Sequence, residues 1–267
     1  MICFALLAHK DEEALLQQVR NIREYNPNDT LIVLYNGGND PDFGKAVCKS
    51  ENVLYCTSSR PLQAGKTGRF FYDVMAWLEE AHISYEYLVY TESDVMFINH
   101  GFKDLLEQLM NGYDCLVEAV KVEMYPDKSN WTTAMRMWKE WHLWKPFFRS
   151  EFFYGTFNPM QVYRRRIVKR MLRRINKSHL ERLLDKTGVI SMGEMLYLTI
   201  AMQCGAKCQE YPRMYRKYFR YRPFISLDEV KDAKRLPEAI FAHPIKDHSV
   251  RAWISSSQTT KDTEGHS

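Results

Sequence analysis

The chain lacks the features that mark a membrane-spanning or secreted protein. No apolar run approaches the roughly 20 residues that a transmembrane helix needs, so the sequence predicts no membrane-spanning segment. Residues 2–7 are apolar from the start, and no basic leader precedes them, so we expect no secretory signal peptide. The sequence therefore predicts a cytoplasmic protein.

Charge and cysteine spacing argue against two further classes. Lys and Arg number 37 against 33 Asp and Glu, and a net charge of +4 is too small to indicate a specific nucleic-acid partner. The six cysteines are scattered, and Cys204 and Cys208 have no matching Cys/His pair at zinc-finger spacing. We expect reduced thiols, several of them acting as small buried hydrophobic residues.

The first hundred residues have the pattern of an α/β domain. Of the 267 residues, 45% are hydrophobic and 26% are charged, which is ordinary for a globular protein with a sizeable core. Strand-like and helix-like segments alternate, which predicts a Rossmann-like, mostly parallel sheet flanked by helices. Strands are predicted at residues 2–9, 30–36, 53–59 and from 85 onward, and helices at 11–25 and 67–81.

The second half predicts a helical insertion that is first aromatic and then basic. The aromatic segment 129–157 either fills the core or lines a sugar or lipid site. The basic amphipathic stretch 162–186 either has a solvated face or makes peripheral contact with an anionic membrane. Around these segments we predict a helix at 101–110, strands at 113–122 and 207–212, and a helix from about 192 to 205.

The predicted organisation is one α/β domain followed by a tail. Residues 1–254 form the domain, whose two halves are residues 1–100 and 101–254. Residues 255–267 are polar and rich in Ser and Thr, which is typical of a disordered tail.

Two carboxylates at the end of a predicted strand are the strongest local signal. The run from Tyr85 ends on Glu92-Ser93-Asp94, and side chains two residues apart on a strand point to the same side. Burying such a pair without compensation is costly, so the two carboxylates are usually either exposed to solvent or bound to a cation. The pair could therefore hold a hard divalent cation, which takes oxygen ligands and often bridges to phosphates. The alternative interpretation of these residues is a solvated acidic turn.

Other polar residues fall at the ends of neighbouring predicted strands. His9 follows the first strand, Asn36 ends the second, and residues 58–60 end the third. Ligands bind outside the carboxyl ends of strands in open α/β sheets, so this coincidence predicts a nucleotide site that includes Glu92 and Asp94.

Several segments together resemble the GT-A-fold glycosyltransferases, which use nucleotide sugars. FALLAHKDEEALLQQVRNIREYNPNDTLIVLYNG is similar to the opening of that fold, and in particular to the core-2/I-branching N-acetylglucosaminyltransferase family. LVYTESDVMF resembles the metal-binding segment, with Glu92 in place of the usual first Asp. MGEMLYLTIAMQCGAK resembles the segment that carries the catalytic base, and FAHPIKDHSVRAW resembles the C-terminal segment on the diphosphate side.

The resemblance implies a set of metal and diphosphate ligands. Asp94 and Glu92 would hold a divalent metal, Mn²⁺ or Mg²⁺, and His243 would complete the ligand set, or else serve as a structural histidine. Lys246 would bind phosphate as a point charge. The donor would be a nucleotide diphosphate sugar, with a UDP-sugar favoured, and the group transferred a hexosyl or N-acetylhexosaminyl unit.

The resemblance also implies that residues 1–254 form a catalytic domain, with 1–100 as its nucleotide-binding half and 101–254 as its acceptor half. Within it, the resemblance implies a base and a nucleotide pocket. Glu194 would take the proton from the acceptor hydroxyl; its alternative role is to stabilise a helix N-terminus. His9 and Asn36 would meet the nucleotide base or ribose, and Lys66 and Arg69 would approach the base or phosphates. The acceptor would be a glycan, a lipid-linked intermediate or a small molecule.

Two rival functions follow from other features. Gly65-Lys66-Thr67 is half of the phosphate-binding loop of kinases and NTPases, but Arg60 stands where that loop needs its first glycine. The second rival is a non-catalytic carbohydrate- or partner-binding domain with the same fold, because fold does not fix function.

Overall fold

A computed structural model describes residues 1–63 and 65–256. Its strands are β1 (Ile2–Ala8), β2 (Thr30–Asn36), β3 (Leu54–Tyr55), β4 (Tyr87–Glu92), β5 (Met96–Phe97), β6 (Cys115–Val117), β7 (Lys121–Glu123), β8 (Phe153–Gly155), β9 (Val162–Arg164), β10 (Cys208–Glu210) and β11 (Phe241–Ala242). Its α-helices are α1 (Glu12–Tyr25), α2 (Lys45–Ser50), α3 (Phe70–Glu80), α4 (Phe102–Leu109), α5 (Thr132–Lys139), α6 (Trp141–Phe148), α7 (Arg165–Arg174), α8 (Lys177–Lys186), α9 (Gly193–Gln203), α10 (Leu227–Lys234) and α11 (His248–Ser256). Short 3₁₀ helices occupy Thr67–Arg69, Pro126–Lys128 and Arg213–Lys217.

Seven strands form the central sheet in the order β3-β2-β1-β4-β9-β6-β10. The neighbours pair in parallel except for β9, which runs antiparallel to both β4 and β6. The predicted mostly parallel α/β sheet flanked by helices is therefore confirmed.

The strand β1 shows why both faces of this sheet are covered. All seven of its residues are buried, and their side chains alternate between two apolar cores. Phe4 and Leu6 pack in the core that contains the apolar side of α1, whereas Ala5 and Leu7 pack in the core that contains α3 and α9.

Three predicted elements have different bounds in the structure. The strand predicted at 53–59 is only Leu54–Tyr55, the edge strand β3. The strand predicted at 113–122 is two strands in different sheets, because the chain leaves the central sheet after Val117. The helical stretch predicted at 162–186 begins as β9, because Val162 and Tyr163 fill the space between β4 and β6.

The predicted tail lies outside the described residues, apart from Ser255 and Ser256. These two positions continue α11, so the helix extends past the predicted domain end at 254.

The aromatic and basic segments are largely accounted for by packing and ion pairs. Trp144, Phe148 and Phe153 are fully buried in the core that contains α9. Arg165 binds Glu79 through two nitrogens, and other arginines nearby bind Glu86 and Asp114. Within the described residues, no helix is long and apolar enough to span a bilayer.

Candidate active site

The acidic segment is held in place on both sides at the carboxyl edge of the sheet. Glu92 ends β4 opposite Leu7 of β1, and the Val95 N–H then closes a turn onto the Glu92 carbonyl at 3.2 Å. From α1, the Asn21 side chain exchanges two hydrogen bonds with the backbone of Phe97, and the Gln18 amide donates to the Val95 carbonyl. Asp94 is therefore presented on a fixed turn.

A two-stranded pairing brings the C-terminal segment to this turn. β11 runs antiparallel to β5, with Ala242 opposite Met96, so His243 emerges beside Asp94. The Ile245 N–H donates to the Asp94 carbonyl at 2.8 Å, which locks the two segments together. The His243 ring is 4% exposed and packs against the ring of Phe157 at a centroid distance of 5.3 Å.

Glu92, Asp94 and His243 converge on one point. Each offers a ligand atom, and these atoms all lie within 4.8 Å of one another. Nε2 of His243 lies 3.1 Å from Oδ1 of Asp94, and Nδ1 lies 3.0 Å from the Arg220 carbonyl oxygen. In a neutral ring, Nδ1–H donates to that carbonyl and leaves the Nε2 lone pair directed at Asp94.

This arrangement fits a divalent cation. A carboxylate oxygen facing an imidazole lone pair needs a proton or a metal ion between them, and Oδ1 of Asp94 has no hydrogen-bond partner among the described residues. Two carboxylates with one imidazole suit Mn²⁺ better than Mg²⁺, which prefers an all-oxygen shell.

The two carboxylates differ in their electrostatic environment. Burial and the neighbouring Asp94 charge raise the pKa of Glu92 well above its usual range. Burial alone would also raise the pKa of Asp94. In the absence of a cation, a proton on Nε2 of His243 and the Lys246 ammonium outweigh that effect and hold the pKa of Asp94 below its usual range. Asp94 is thus the permanently charged member of the pair.

Two cations border the acidic turn in different ways. The Lys246 side chain is about half exposed, and its Nζ lies 3.3 Å from Oδ2 of Asp94, so it can also reach a bound phosphate. Arg251 is buried and donates to the carbonyls of Ser93 and Ile245. It joins the acidic turn to the C-terminal segment, which makes it a positioning residue.

Glu194 lies in the first turn of α9 and is 9% exposed. Its Oε2 has no hydrogen-bond partner among the described residues. Burial, together with the nearby Glu92 charge, raises the pKa of Glu194 to about 7. A carboxylate with this pKa and a free oxygen is suited to accept a proton near neutral pH.

One cavity of about 320 Å³ joins these groups. Glu92, Asp94, His243 and Lys246 line it together with Glu194, so the structure brings five predicted residues together. The volume is at the lower end of the range for small-molecule sites.

A second cavity, of about 420 Å³, adjoins the first. Asp94 and Lys246 line both, and His9 lines the second together with His248 and Arg251. His9 thus lies on the far side of the acidic turn from Glu194. Burial, aided by the charges of Lys10 and Lys246, lowers the pKa of His9.

Three predicted ligands do not join this group. The Asn36 side chain is buried and holds its own turn, donating to the Asp40 carbonyl and accepting from the Gly38 N–H. Lys66 and Arg69 line a separate cavity beside α8. The guanidinium of Arg69 is paired with Glu181 and Asp185, so its predicted approach to the phosphates is replaced by a structural ion pair.

The geometry of residues 60–67 does not favour a phosphate-binding loop. The Arg60 side chain pairs with Asp73 and Glu181 instead of leaving the open backbone that a glycine would provide. Thr67 begins a 3₁₀ helix and lines the main cavity, whereas Lys66 lines the separate cavity beside α8. The two side chains therefore do not converge on one ligand.

Further residues line the main cavity without having been predicted. Asn158 follows β8, and Tyr221, Arg222 and Phe224 come from the loop before α10. The Arg222 guanidinium lies 4.0 Å from the centroid of the Phe224 ring. Each of these residues is in an irregular segment, where no periodic pattern exists to identify it.

Comparisons with known proteins give similarity in structure only. No protein-family model and no curated protein matches the chain. Solved structures similar to it include TarS of S. aureus (12% identity, TM-score 0.46), the mannosyltransferase PcManGT from Pyrobaculum calidifontis in complex with GDP-Man and Mn²⁺ (14%, 0.44), and the bifunctional IspDF from Campylobacter jejuni (11%, 0.40). Each match covers 79% of this chain, but only 35%, 54% and 49% of those chains respectively. Similarities of this size do not assign a function, which therefore has to be inferred from the residues that line the cavity.

Proposed function

We propose that this protein is a glycosyltransferase that moves a sugar from a nucleotide diphosphate to a hydroxyl group, assisted by a divalent cation. One observation carries the proposal: a cation-binding cluster and a carboxylate with an unpaired oxygen line the same cavity. Glycosyl transfer needs charge stabilisation on the leaving diphosphate and a base for the attacking hydroxyl.

The cluster of Glu92, Asp94 and His243 would hold the cation. When bound, the cation neutralises charge on the diphosphate as the glycosidic bond breaks. Lys246 would contribute a second positive charge, because its half-exposed ammonium lies 3.3 Å from Asp94 and can shift onto a phosphate oxygen. Asp94 remains ionised throughout, because His243 and Lys246 hold its pKa low.

Glu194 would act as the base for the acceptor hydroxyl. Its pKa of about 7 makes it partly ionised at neutral pH and a strong enough acceptor for the departing proton. The N–H of Thr156 donates to the Glu194 carbonyl at 2.8 Å and fixes the head of α9, so the carboxylate has a defined position.

The two adjoining cavities suggest how the donor would lie. The nucleoside would occupy the cavity lined by His9, and the sugar would extend toward Glu194. Between them, the diphosphate would be held by Lys246 and by the cation on Asp94, at the residues that both cavities share. A UDP-sugar remains the favoured donor, and the acceptor would be a glycan, a lipid-linked intermediate or a small molecule.

Titration calorimetry tests this proposal directly. UDP, GDP, CDP and ATP are titrated into the protein with and without Mn²⁺, ATP is also titrated with Mg²⁺, and Mn²⁺ is titrated alone. We expect one nucleoside diphosphate to bind only with Mn²⁺, and we expect Asp94→Ala to abolish that binding. The nucleotide that binds then identifies the donor class for transfer assays.

Two variants separate the rival functions. Lys66→Ala should leave nucleoside diphosphate binding unchanged, and loss of a tight ATP–Mg²⁺ complex in this variant would instead support a phosphate-binding loop. Wild-type protein that binds no nucleotide under any condition would contradict the proposal and favour a non-catalytic binding domain.

A further inference from the structure

Asn158 lines the main cavity, and its amide oxygen is buried against Gly193 without a partner. The residue is only 5% exposed, and its Oδ1 makes no hydrogen bond with the described residues. Buried amides are nearly always paired, because an unpaired one forfeits its hydrogen bonds to water. A ligand hydroxyl beside Asn158 would supply the missing partner once the amide turns from Gly193 toward the cavity.

The loop that carries Asn158 is anchored at both ends. The Thr156 N–H donates to the Glu194 carbonyl at 2.8 Å, and the Met160 N–H donates to the Tyr90 carbonyl at 2.7 Å. These bonds tie the loop to the head of α9 and to β4. The amide is therefore presented from a fixed loop rather than a loose one.

Gly193 provides the space in which the Asn158 oxygen sits. A Cβ built on Gly193 would lie 2.6 Å from Oδ1 of Asn158, closer than real side chains approach. Gly193 does not have a left-handed backbone, so here the glycine matters for space rather than for conformation. The Gln161 amide donates to the Gly193 carbonyl at 3.1 Å and supports this contact from behind.

We propose that Asn158 binds a hydroxyl of the transferred sugar and helps to determine which sugar is accepted. This inference rests on the proposed function, which requires the sugar to lie between the cation cluster and Glu194. Asn158 lines that space, and its oxygen rests against the residue next to Glu194. A primary amide both donates and accepts, which matches a sugar hydroxyl or a vicinal pair of hydroxyls.

Such an amide discriminates between sugars because it pairs with a hydroxyl of one sugar and stays unpaired with another. A donor that lacks the matching hydroxyl would bury the amide without a partner, and sites of this kind reject such analogues strongly. In the donor arrangement proposed above, the nucleoside diphosphate alone would stop short of Asn158, so its affinity should not depend on this residue.

Calorimetry on the Mn²⁺-loaded protein tests the assignment. The affinities of the nucleoside diphosphate and of its intact sugar conjugate are compared in wild type, Asn158→Ala and the nearly isosteric Asn158→Asp. We expect the nucleoside diphosphate to bind equally well in all three. The additional affinity contributed by the sugar should fall about tenfold in Asn158→Ala, the equivalent of one hydrogen bond. A donor that lacks the hydroxyl contacted by Asn158 should bind wild type and Asn158→Ala with the same affinity.

Asn26 offers a matched control. It is 6% exposed, but its amide donates to the Ile22 carbonyl at 2.9 Å at the end of α1. Asn26→Ala should lower the thermal unfolding midpoint and leave the sugar contribution intact, whereas Asn158→Ala should not lower the midpoint. An unchanged sugar contribution in both Asn158 variants would overturn the inference while leaving the proposed function standing. Absence of nucleoside diphosphate binding in wild type would overturn both.

Discussion

The carboxylates at the two edges of the central sheet are of the same chemical type but occupy different electrostatic environments. At the amino edge, Glu79 and Asp114 bind Arg165 and Arg166, the first two residues of α7. At the carboxyl edge, Glu92 and Glu194 are bound by no arginine among the described residues. Burial would raise the pKa of Glu79, but Arg165 and Lys169 lower it below its usual range. The pKa values of Glu92 and Glu194 are raised.

This difference separates carboxylates that hold the fold from carboxylates left open for a ligand. An ion pair satisfies the charge of Glu79 within the protein, so the group has nothing left to offer a substrate. Glu92 and Glu194 have no such partner, and their protonation or cation binding must come from outside. The position of the arginines in the fold, rather than the number of carboxylates, distinguishes the edge that carries the candidate site.

The largest expected effect is on catalysis. Glu194→Gln keeps the shape of the side chain but cannot accept a proton, so sugar transfer should fall about 10²- to 10⁴-fold. Nucleoside diphosphate binding should be retained. The measurement is turnover of the donor identified by calorimetry. Glu79→Gln is the matched control, and equal losses of turnover in both variants would remove the distinction between the two edges.

The next effect is on cation affinity. Asp94→Asn removes the carboxylate that stays ionised and should weaken Mn²⁺ binding. Loss of a residue that only orients a metal ligand typically costs about 10- to 100-fold in affinity, and we expect a larger loss here. Asp114→Asn at the amino edge should leave Mn²⁺ affinity unchanged, because its partner is Arg166. Calorimetric titration of Mn²⁺ compares the two, and wild-type affinity in Asp94→Asn would rule out the cluster as the cation site.

The third effect concerns the pH dependence of stability. The pKa of Glu194 is raised to about 7, so the folded protein holds a proton that the unfolded chain releases near 4.5. Its contribution to stability is present below pH 4.5 and is lost as pH rises toward 7, by at most about 3 kcal/mol. The lowered pKa of Glu79 acts in the opposite sense, because its contribution is lost as pH falls.

Urea unfolding at pH 5 and pH 8 measures this contrast. Relative to wild type, Glu194→Gln should lose less stability between pH 5 and pH 8. Glu79→Gln should follow the wild-type profile between pH 5 and pH 8, because the lowered pKa of Glu79 leaves that group ionised over this whole range. Parallel pH profiles in the two variants would show that the two carboxylates do not differ in the folded state.

The smallest effect is on positioning. Arg251→Lys cannot reach the carbonyls of both Ser93 and Ile245, so the acidic turn and the C-terminal segment should separate slightly and Mn²⁺ affinity should fall about 10-fold. Arg165→Lys keeps a cation beside Glu79 and should leave Mn²⁺ affinity at the wild-type value. A shift of similar size in both variants would indicate general loosening of the fold.

The sequence was sufficient for the fold class and for placing Glu92 and Asp94 at the end of a buried strand, but not for every strand end, because Asn36 holds its own turn. Strand β1 is apolar throughout, and Glu92 with Asp94 ends a strand whose aromatic and β-branched residues identify it. The convergence of His243 was predicted only through a family resemblance, because β5 and β11 are two residues each and too short to show a period. Arg69 was misassigned because its partners, Glu181 and Asp185, are remote in sequence.

Asn158 could not be predicted for a different reason. Its importance comes from a hydrogen bond that is missing, and only the packing of the Gly193 backbone against it reveals that absence. A single polar residue in an irregular loop carries no pattern that distinguishes it from a solvated one.

The pairing of β5 with β11 would make cation binding depend on two segments that are far apart in the sequence. This pairing brings Asp94 and His243 together, so the proposed ligand set is incomplete until β11 has docked. During synthesis, a nascent chain that has not yet docked β11 would lack the full set for capturing Mn²⁺. Once captured, the ion would favour the docked state by mass action, since it binds the closed ligand set and not the open one. Loss of the C-terminal segment to a protease would then release the metal as well as abolish turnover.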